Sequence, residues 1–154
     1  MIVVADLDLA SAHMSTPGTQ CVLVADPHHA VSEGVRSLLA TMFQAVVMVA
    51  DEVSLFASAG RLQSDLAVID LALSRGNAVE FVRRLRSSFP GMKMIIVSVH
   101  DRSSVSNSVL EAGADGFVAK RAIATDLLPA ADAVLAGHRY VSPSVMEHRK
   151  DDLV

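Results

Sequence analysis

The chain has very little cysteine and no concentration of positive charge. Cys21 is its one cysteine among 154 residues, so no internal disulfide can form, and a reducing, cytoplasmic setting is expected. The formal net charge is −4, and no basic stripe runs along the sequence. Direct nucleic-acid binding by this chain is therefore disfavoured.

Long hydrophobic runs and several common catalytic motifs are also absent. No apolar stretch approaches the roughly 20 residues that a membrane-spanning helix needs, so we expect no membrane association. The apolar N-terminus meets Asp6 and Asp8 at once and lacks the basic start of a signal peptide. The sequence contains no Gly-x-Gly-x-x-Gly, no phosphate-binding P-loop and no Gly-x-Ser-x-Gly, which argues against the enzyme classes built on them.

What remains is a globular composition, 51% hydrophobic and 19% charged, of a length that suits one domain. Residues 11–19 are small, polar and turn-forming, so we interpret residues 1–20 as a leader or linker. His13-Met14 also fits the junction of a vector-derived leader with a native start at Met14. We predict a domain over residues 21–137 and a linker or tail over residues 138–154.

Within the predicted domain, short apolar runs alternate with helical patterns. The runs cover residues 21–25, 45–50, 66–69, 94–97 and 116–119. They are continuously apolar, as strands buried on both faces should be. Right-handed crossovers between such strands give a doubly wound α/β fold, (βα)5, with a five-stranded parallel sheet.

The intervening helices are predicted from apolar residues at helical spacing. The second helix is expected to turn Val53, Phe56, Ala57 and Gly60 inward. The last helix is expected to start near Thr125 as N-cap, with Pro129 in its first turn. In the third helix, Arg83, Arg84 and Arg86 are interpreted as a solvated face.

Polar residues end four of the five strands: Asp26, Asp70, Ser98 and Lys120. Because ligands bind beyond the carboxyl ends of parallel strands, these side chains are expected at one edge of the sheet. A carboxylate can act as nucleophile toward a phosphoryl group, and a lysine and a hydroxyl can bind the phosphoryl oxygens. A divalent ion would offset the charge.

These residues stand in stretches that resemble the receiver domain of bacterial response regulators, of the CheY-like fold and the NarL/FixJ branch. The resemblance covers about residues 21–145. The matching stretches are VLVADPH (22–28), EGVR (33–36), DLAVIDL (65–71), IVSVHD (96–101), GADGFVAK (113–120) and LAGHRYVSP (135–143).

The resemblance implies a flavodoxin-like strand order of 2-1-3-4-5 and a signalling role without classical enzyme activity. Asp70 would accept a phosphoryl group from a sensor histidine kinase or phosphotransfer protein, and Ser98 and Lys120 would hold it. Asp26, Asp70 and the backbone carbonyl of Ala72 would bind Mg²⁺. Ser98 and Phe117 would act as the switch, altering a face formed by the fourth helix, fifth strand and fifth helix that could form a homodimer.

The sequence departs from the family pattern at two places. Pro27 replaces the second of two adjacent acids, so Mg²⁺ binding is expected to be weakened. The loop after Asp70 is unusual, and Arg75 could reach toward the site. Asp26 could equally be a helix N-cap with Pro27 at N1. The histidines, at positions 28, 29, 100, 138 and 148 among others, are too scattered to predict a histidine metal cluster.

Two other functions stay open. A degenerate receiver would bind a partner independently of phosphorylation, as the loss of the acid at Pro27 suggests. The Asp6-Leu7-Asp8 segment resembles the nucleophile motif of haloacid-dehalogenase-type phosphatases, although no helical crossover follows it. The chain stops without a helix-turn-helix, which fits either a single-domain receiver or a chain cut before its output domain.

Overall fold

The computed structural model describes residues 3–4 and 21–145 of the chain. Its strands are β1 (Val3–Val4), β2 (Cys21–Ala25), β3 (Ala45–Val49), β4 (Leu66–Asp70), β5 (Lys93–Ser98), β6 (Gly116–Ala119) and β7 (Tyr140–Val141). Its longer helices are α1 (His29–Leu39), α2 (Glu52–Leu62), α3 (Ala78–Ser88), α4 (Ser103–Ala112) and α5 (Ile123–Leu135). Short 3-10 turns follow β4 at Leu71–Ser74 and β6 at Lys120–Ala122.

The strands form one sheet in the order β1-β3-β2-β4-β5-β6-β7. Its five central strands, β2 to β6, are parallel and have the order predicted for the doubly wound fold, which is confirmed. Two short strands extend the edges: β1 pairs antiparallel with β3, and β7 pairs parallel with β6. Both lie in segments that the sequence assigns to a leader and a tail, and those boundaries stay predictions.

The core lies in two layers, one on each face of the sheet. Leu55, Phe81 and Leu85 lie in the layer beneath α2, α3 and α4, and Leu39 and Leu127 lie in the layer beneath α1 and α5. Strands β3 and β4 are buried along their whole length, which is why their sequences are continuously apolar. None of the helices in the described part of the chain is long and apolar enough to cross a membrane.

The predicted inner face of the second helix is wrong for Val53, Ala57 and Gly60, which are exposed, whereas Phe56 is half-buried and packs against the core as predicted. In α2, Val53 is 80% exposed, whereas Leu55, Ser58 and Ala59 are buried. The helix sequence carries two stripes of small and apolar residues. The N-cap at Asp51, whose side chain accepts a hydrogen bond from the Ser54 N–H, fixes the start of the helix, and packing on the sheet selects Leu55 and Ala59.

The predicted start of the last helix is also wrong. Helix α5 begins at Ile123, directly after the 3-10 turn, and Pro129 lies inside it. The Thr125 hydroxyl donates to the Ala122 carbonyl, so it bonds within the first helical turn and does not cap the helix.

Arg86 is not part of a solvated face. Its guanidinium donates to the carbonyls of Gly113 and Met92 and pairs with Asp115, 2.7 Å away. It therefore ties α3 to the end of α4 and to the start of β5. A side chain on Gly113, whose φ is 132°, would lie 2.9 Å from Arg86, so this contact requires glycine.

Candidate functional site

A cleft of about 330 Å³ lies beyond the carboxyl ends of the central strands. Its lining includes His28, Asp70, Ala72, Ser98 and Lys120, which come from four separate places in the sequence. The cleft is positioned by the topology, because β4, β5 and β6 are neighbours and run in one direction.

Asp70 is the last residue of β4 and is only 4% exposed. Its Oδ1 accepts a hydrogen bond from the Ala72 N–H at 2.8 Å, which fixes the carboxylate at the start of the 3-10 turn. Its Oδ2 is paired with the ammonium of Lys120. The two oxygens therefore differ: Oδ1 is bonded to the backbone, and Oδ2 is bonded to a side chain that also lines the cleft.

Asp26 lies beside this pair at the end of β2. Its Oδ2 is 3.5 Å from Lys120 Nζ, and its Oδ1 accepts from the His28 N–H at 2.7 Å. Helix α1 begins one residue later, at His29, so the alternative interpretation that places Pro27 at N1 is wrong. The Asp26 carboxylate instead contributes to the cluster around Lys120.

Lys120 is the cation that both carboxylates share. Its side chain is 13% exposed, and Asp26 and Asp70 are less exposed still. Buried carboxylates are costly unless they are paired and hydrogen-bonded, so the lysine ammonium is the group that allows both acids to lie here.

Ser98 and Phe117 lie on the neighbouring strands. Ser98 ends β5, lines the same cleft, and accepts a hydrogen bond from the His100 N–H at 3.0 Å. Phe117 is fully buried in the core, opposite Ile96 of β5. The structure thus brings Asp70, Ser98 and Lys120 to one cleft, with Asp26 beside Lys120 and with Phe117 in the core.

Strand β7 covers the outer edge of β6, on the face that the sequence assigns to partner contacts. The Ser142 N–H donates to the Phe117 carbonyl at 2.9 Å, and the buried Ser142 hydroxyl accepts from the Ala119 N–H at 3.0 Å. The same hydroxyl donates to Asp126 of α5 at 2.6 Å. This segment is therefore joined to the strand that carries Phe117.

His28 is the member of the site that sequence reasoning missed. Its Nδ1 is 3.2 Å from Asp26 Oδ1, 3.9 Å from Asp70 Oδ2 and 3.3 Å from Lys120 Nζ. The prediction considered histidine clusters alone, whereas one histidine stands here with two carboxylates. Its position two residues after Asp26, beyond a proline that turns the chain, was the available signal.

The side chains that could bind a cation here are suited to divalent cations as a class, but they are not the all-oxygen set that Mg²⁺ prefers. Asp26, His28 and Asp70 each offer one ligand atom, and these atoms lie within 4.8 Å of one another. Mg²⁺ takes oxygen ligands, and position 27 offers no carboxylate. The predicted ligand carbonyl, of Ala72, accepts from the Arg75 N–H at 3.4 Å within the 3-10 turn.

Two other sequence-based expectations concern residues away from this cleft. Arg75 lines a neighbouring depression with Pro27, Glu52 and Val53, so it does not reach toward Asp70. The Asp6-Leu7-Asp8 segment, offered as a phosphatase motif, lies outside the described residues.

Comparison with known proteins agrees with this architecture. The family model for the response regulator receiver domain matches residues 22–132. The response regulator GacA of Pseudomonas viridiflava is 30% identical over 128 residues, which cover 82% of this chain and 60% of that protein. The transcriptional regulatory protein DegU of Brevibacillus brevis is 29% identical over 126 residues, which cover 80% of this chain and 53% of that protein. The chain thus spans a little over half the length of these relatives.

Solved structures show the same fold. A two-component response regulator of the LuxR family from an Aurantimonas species superposes with a TM-score of 0.78 at 26% identity, covering 88% of this chain and 99% of that one. The isolated receiver domain of RcsB from Salmonella enterica serovar Typhimurium, with the phosphomimetic beryllofluoride, gives 0.76 at 22% identity, covering 84% of this chain and 98% of that one. A carboxylate cluster at the expected sheet edge, in a matching domain of this topology, leads to one conclusion: the chain belongs to the response regulator receiver domain family.

Proposed function

We propose that this chain is a phospho-receiver in two-component signalling, with Asp70 as the residue that accepts the phosphoryl group. The observation that carries the proposal is the environment of Asp70, a nearly buried residue that lines a cleft and whose Oδ2 is paired with Lys120. A sensor histidine kinase or a phosphotransfer protein would be the donor, and the setting would be cytoplasmic.

The hydrogen bond from Ala72 N–H to Oδ1 leaves Oδ2 as the attacking oxygen. Oδ2 forms the new bond to phosphorus while the bond from phosphorus to the donor imidazole breaks, and the electron pair returns to the imidazole nitrogen. Lys120 Nζ then moves from Oδ2 to a phosphoryl oxygen, which it can bind as a point charge.

Ser98 supplies the second contact to the phosphoryl group. Its oxygen accepts from the His100 N–H, so its own O–H can be donated to a phosphoryl oxygen. A divalent cation held by Asp26 and Asp70 would offset the negative charge that builds up as a carboxylate meets a phosphoryl group. Self-catalysed phosphotransfer to Asp70 and hydrolysis of the resulting acyl phosphate would be, at most, the chemistry that the chain performs.

The signal would pass from Ser98 to β6 and its partners. Ser98 is opposite Ala119 in the β5–β6 register, and Phe117 lies two residues before Ala119. Movement of Ser98 toward the phosphoryl group would thus displace Phe117 and alter the face formed by α4, β6 and α5. The chain could form a homodimer through that face.

A degenerate receiver is the second candidate, and Pro27 is the observation that favours it. With one acid missing and both remaining carboxylates already paired with Lys120, the site could serve as a fixed binding module. Such a chain would bind its partner equally well with and without a phosphodonor.

Beryllofluoride, which mimics an acyl phosphate, separates the two candidates in an amide NMR titration. For the phospho-receiver we expect resonance changes at Ser98, Phe117 and the surrounding face, and we expect none in Asp70→Asn. Unchanged spectra with every divalent ion tried would contradict the proposal and leave the fixed binding module.

A further inference from the structure

The metal preference of the site follows from the residue that stands beside Asp26. Position 27 is a proline and provides neither a carboxylate nor an N–H. The donor atom that faces the two aspartates is Nδ1 of His28, 3.2 Å from Asp26 Oδ1 and 3.9 Å from Asp70 Oδ2. A nitrogen therefore stands in a site whose other donors are carboxylate oxygens.

We propose that this site binds a borderline first-row divalent ion, such as Zn²⁺ or Co²⁺, in preference to Mg²⁺, with His28 Nδ1 as a ligand beside Asp26 and Asp70. The inference rests on the proposed function for the identity of the site as a cation site, and it adds the class of ion and the third ligand.

The chemistry of the donors supports this preference. Imidazole nitrogen suits Zn²⁺, Co²⁺ and Ni²⁺, whereas Mg²⁺ favours carboxylates, carbonyls and water in octahedral geometry. Ligands at about 2.0–2.1 Å in a tetrahedral site lie about 3.3 Å apart. The separation between Nδ1 and Asp26 Oδ1 is 3.2 Å, so this pair already has the spacing that such an ion needs.

The contacts of Nδ1 also favour a shared cation. It lies between an acceptor, Asp26 Oδ1, and a donor, Lys120 Nζ, which is 3.3 Å away. One ring nitrogen cannot donate to the carboxylate and accept from the ammonium at once. It can, however, share a divalent ion with the carboxylate, because both then contribute lone pairs.

The backbone position of His28 and the exposure of its imidazole to solvent also favour metal binding. The His28 N–H donates to Asp26 Oδ1 at 2.7 Å, which holds the backbone of His28 against the ligand carboxylate. The imidazole is 59% exposed, so an ion can enter from solvent and keep water in its remaining positions.

A Co²⁺ titration of the 154-residue chain, read from the visible absorption of the ion and repeated in competition with Mg²⁺, tests the proposal without a phosphodonor. We expect Co²⁺ to bind about tenfold or more tightly than Mg²⁺. We expect His28→Ala to weaken Co²⁺ binding by about tenfold or more while changing Mg²⁺ binding less than about threefold.

Single-residue variants show where Co²⁺ binds. His138→Ala removes an exposed histidine three residues beyond the end of α5 and should leave Co²⁺ binding unchanged, whereas Asp70→Asn should abolish it. Pro27→Asp restores an acid and should raise Mg²⁺ affinity. Equal affinity for the two ions, an equal effect of His28→Ala on both, or a Co²⁺ signal that survives Asp70→Asn would each overturn the proposal. Phosphorylation could still occur in every one of those cases, so this failure is distinguishable from failure of the proposed function.

Discussion

At the scale of single residues, four side chains of the candidate site lie where their strands end, and a fifth, His28, lies where the loop after Pro27 places it. Asp26, Asp70, Ser98 and Lys120 could be assembled in advance, because each ends a strand and the strands are parallel. The position of His28 could not, since its side chain is aimed by the backbone after Pro27, where His28 itself has φ −101° and ψ 100°. Apolar periodicity does not specify loop angles of this kind.

The contacts of Arg86 are likewise not predictable from apolar periodicity, and they give the first prediction. Sequence alone makes it equivalent to Arg83, yet Arg86 donates to the Gly113 and Met92 carbonyls and pairs with Asp115. Arg86→Ala leaves these acceptors without their donor and should lower the free energy of unfolding by about 2–3 kcal/mol in urea denaturation.

Arg83→Ala is the matched control, on the same helix and exposed to solvent. It should change the free energy of unfolding by less than about 0.5 kcal/mol. Similar losses from the two substitutions would show that the Arg86 contacts are not what stabilises the packing of α3 against α4.

At the scale of elements, the strands were easier to predict than the helix faces. Five continuously apolar runs gave the positions of β2 to β6, because burial on both faces leaves a pattern with few alternatives. Helix α2 has two possible inner faces, one with Val53 and one with Leu55, and the spacing of apolar residues in the sequence predicts the one with Val53, which is exposed. Val53 and Leu55 lie on nearly opposite sides of the helix, and the cap at Asp51 and packing on the sheet decide which of them faces inward.

The N-cap of α2 gives a pH-dependent prediction. The hydrogen bond from the Ser54 N–H holds the pKa of the Asp51 carboxyl below its ordinary value. Its stabilising effect is therefore present above the unfolded-state pKa and is lost as the pH falls through the lower, folded-state pKa. We expect Asp51→Ala to lower Tm at pH 7, with the difference from wild type shrinking in acid.

Asp51→Asn separates the cap from its charge, because asparagine keeps an acceptor oxygen that does not titrate. Its Tm at pH 7 should stay closer to wild type than that of Asp51→Ala. Thermal unfolding at several pH values measures both effects. A Tm deficit of Asp51→Ala that stays constant down to the lowest pH would contradict the capping role.

At the scale of the whole molecule, the short edge strands were not predictable. Strands β1 and β7 have two residues each, too few to show a period, and their pairing depends on the finished sheet. Strand β7 occupies the edge of β6 beside Phe117, on the face proposed for partner contacts. Contacts of a partner with this face would then involve β7 as well as α4 and α5.

Ser142 tests whether that segment is part of the folded unit. It is fully buried, accepts from the Ala119 N–H and donates to Asp126. Ser142→Ala leaves a buried N–H without an acceptor and should cost about 1–3 kcal/mol of unfolding free energy. Ser108→Ala, on the exposed side of α4, should change it by less than about 0.5 kcal/mol. Equal effects in urea denaturation would mean that residues 140–145 do not contribute to global stability.

Phosphoryl labelling with peptide mapping tests the central claim most directly. The chain is incubated with acetyl phosphate and with Mg²⁺ or, separately, Co²⁺, and tritiated borohydride then reduces the acyl phosphate to a tritium-labelled homoserine, with release of phosphate, before digestion. The label should map to Asp70, disappear in Asp70→Asn, and persist in Asp65→Asn, which alters the residue just before the opposite end of β4. A label that remains in Asp70→Asn, or no label with either ion, would contradict the assignment of Asp70 as the phosphoryl acceptor.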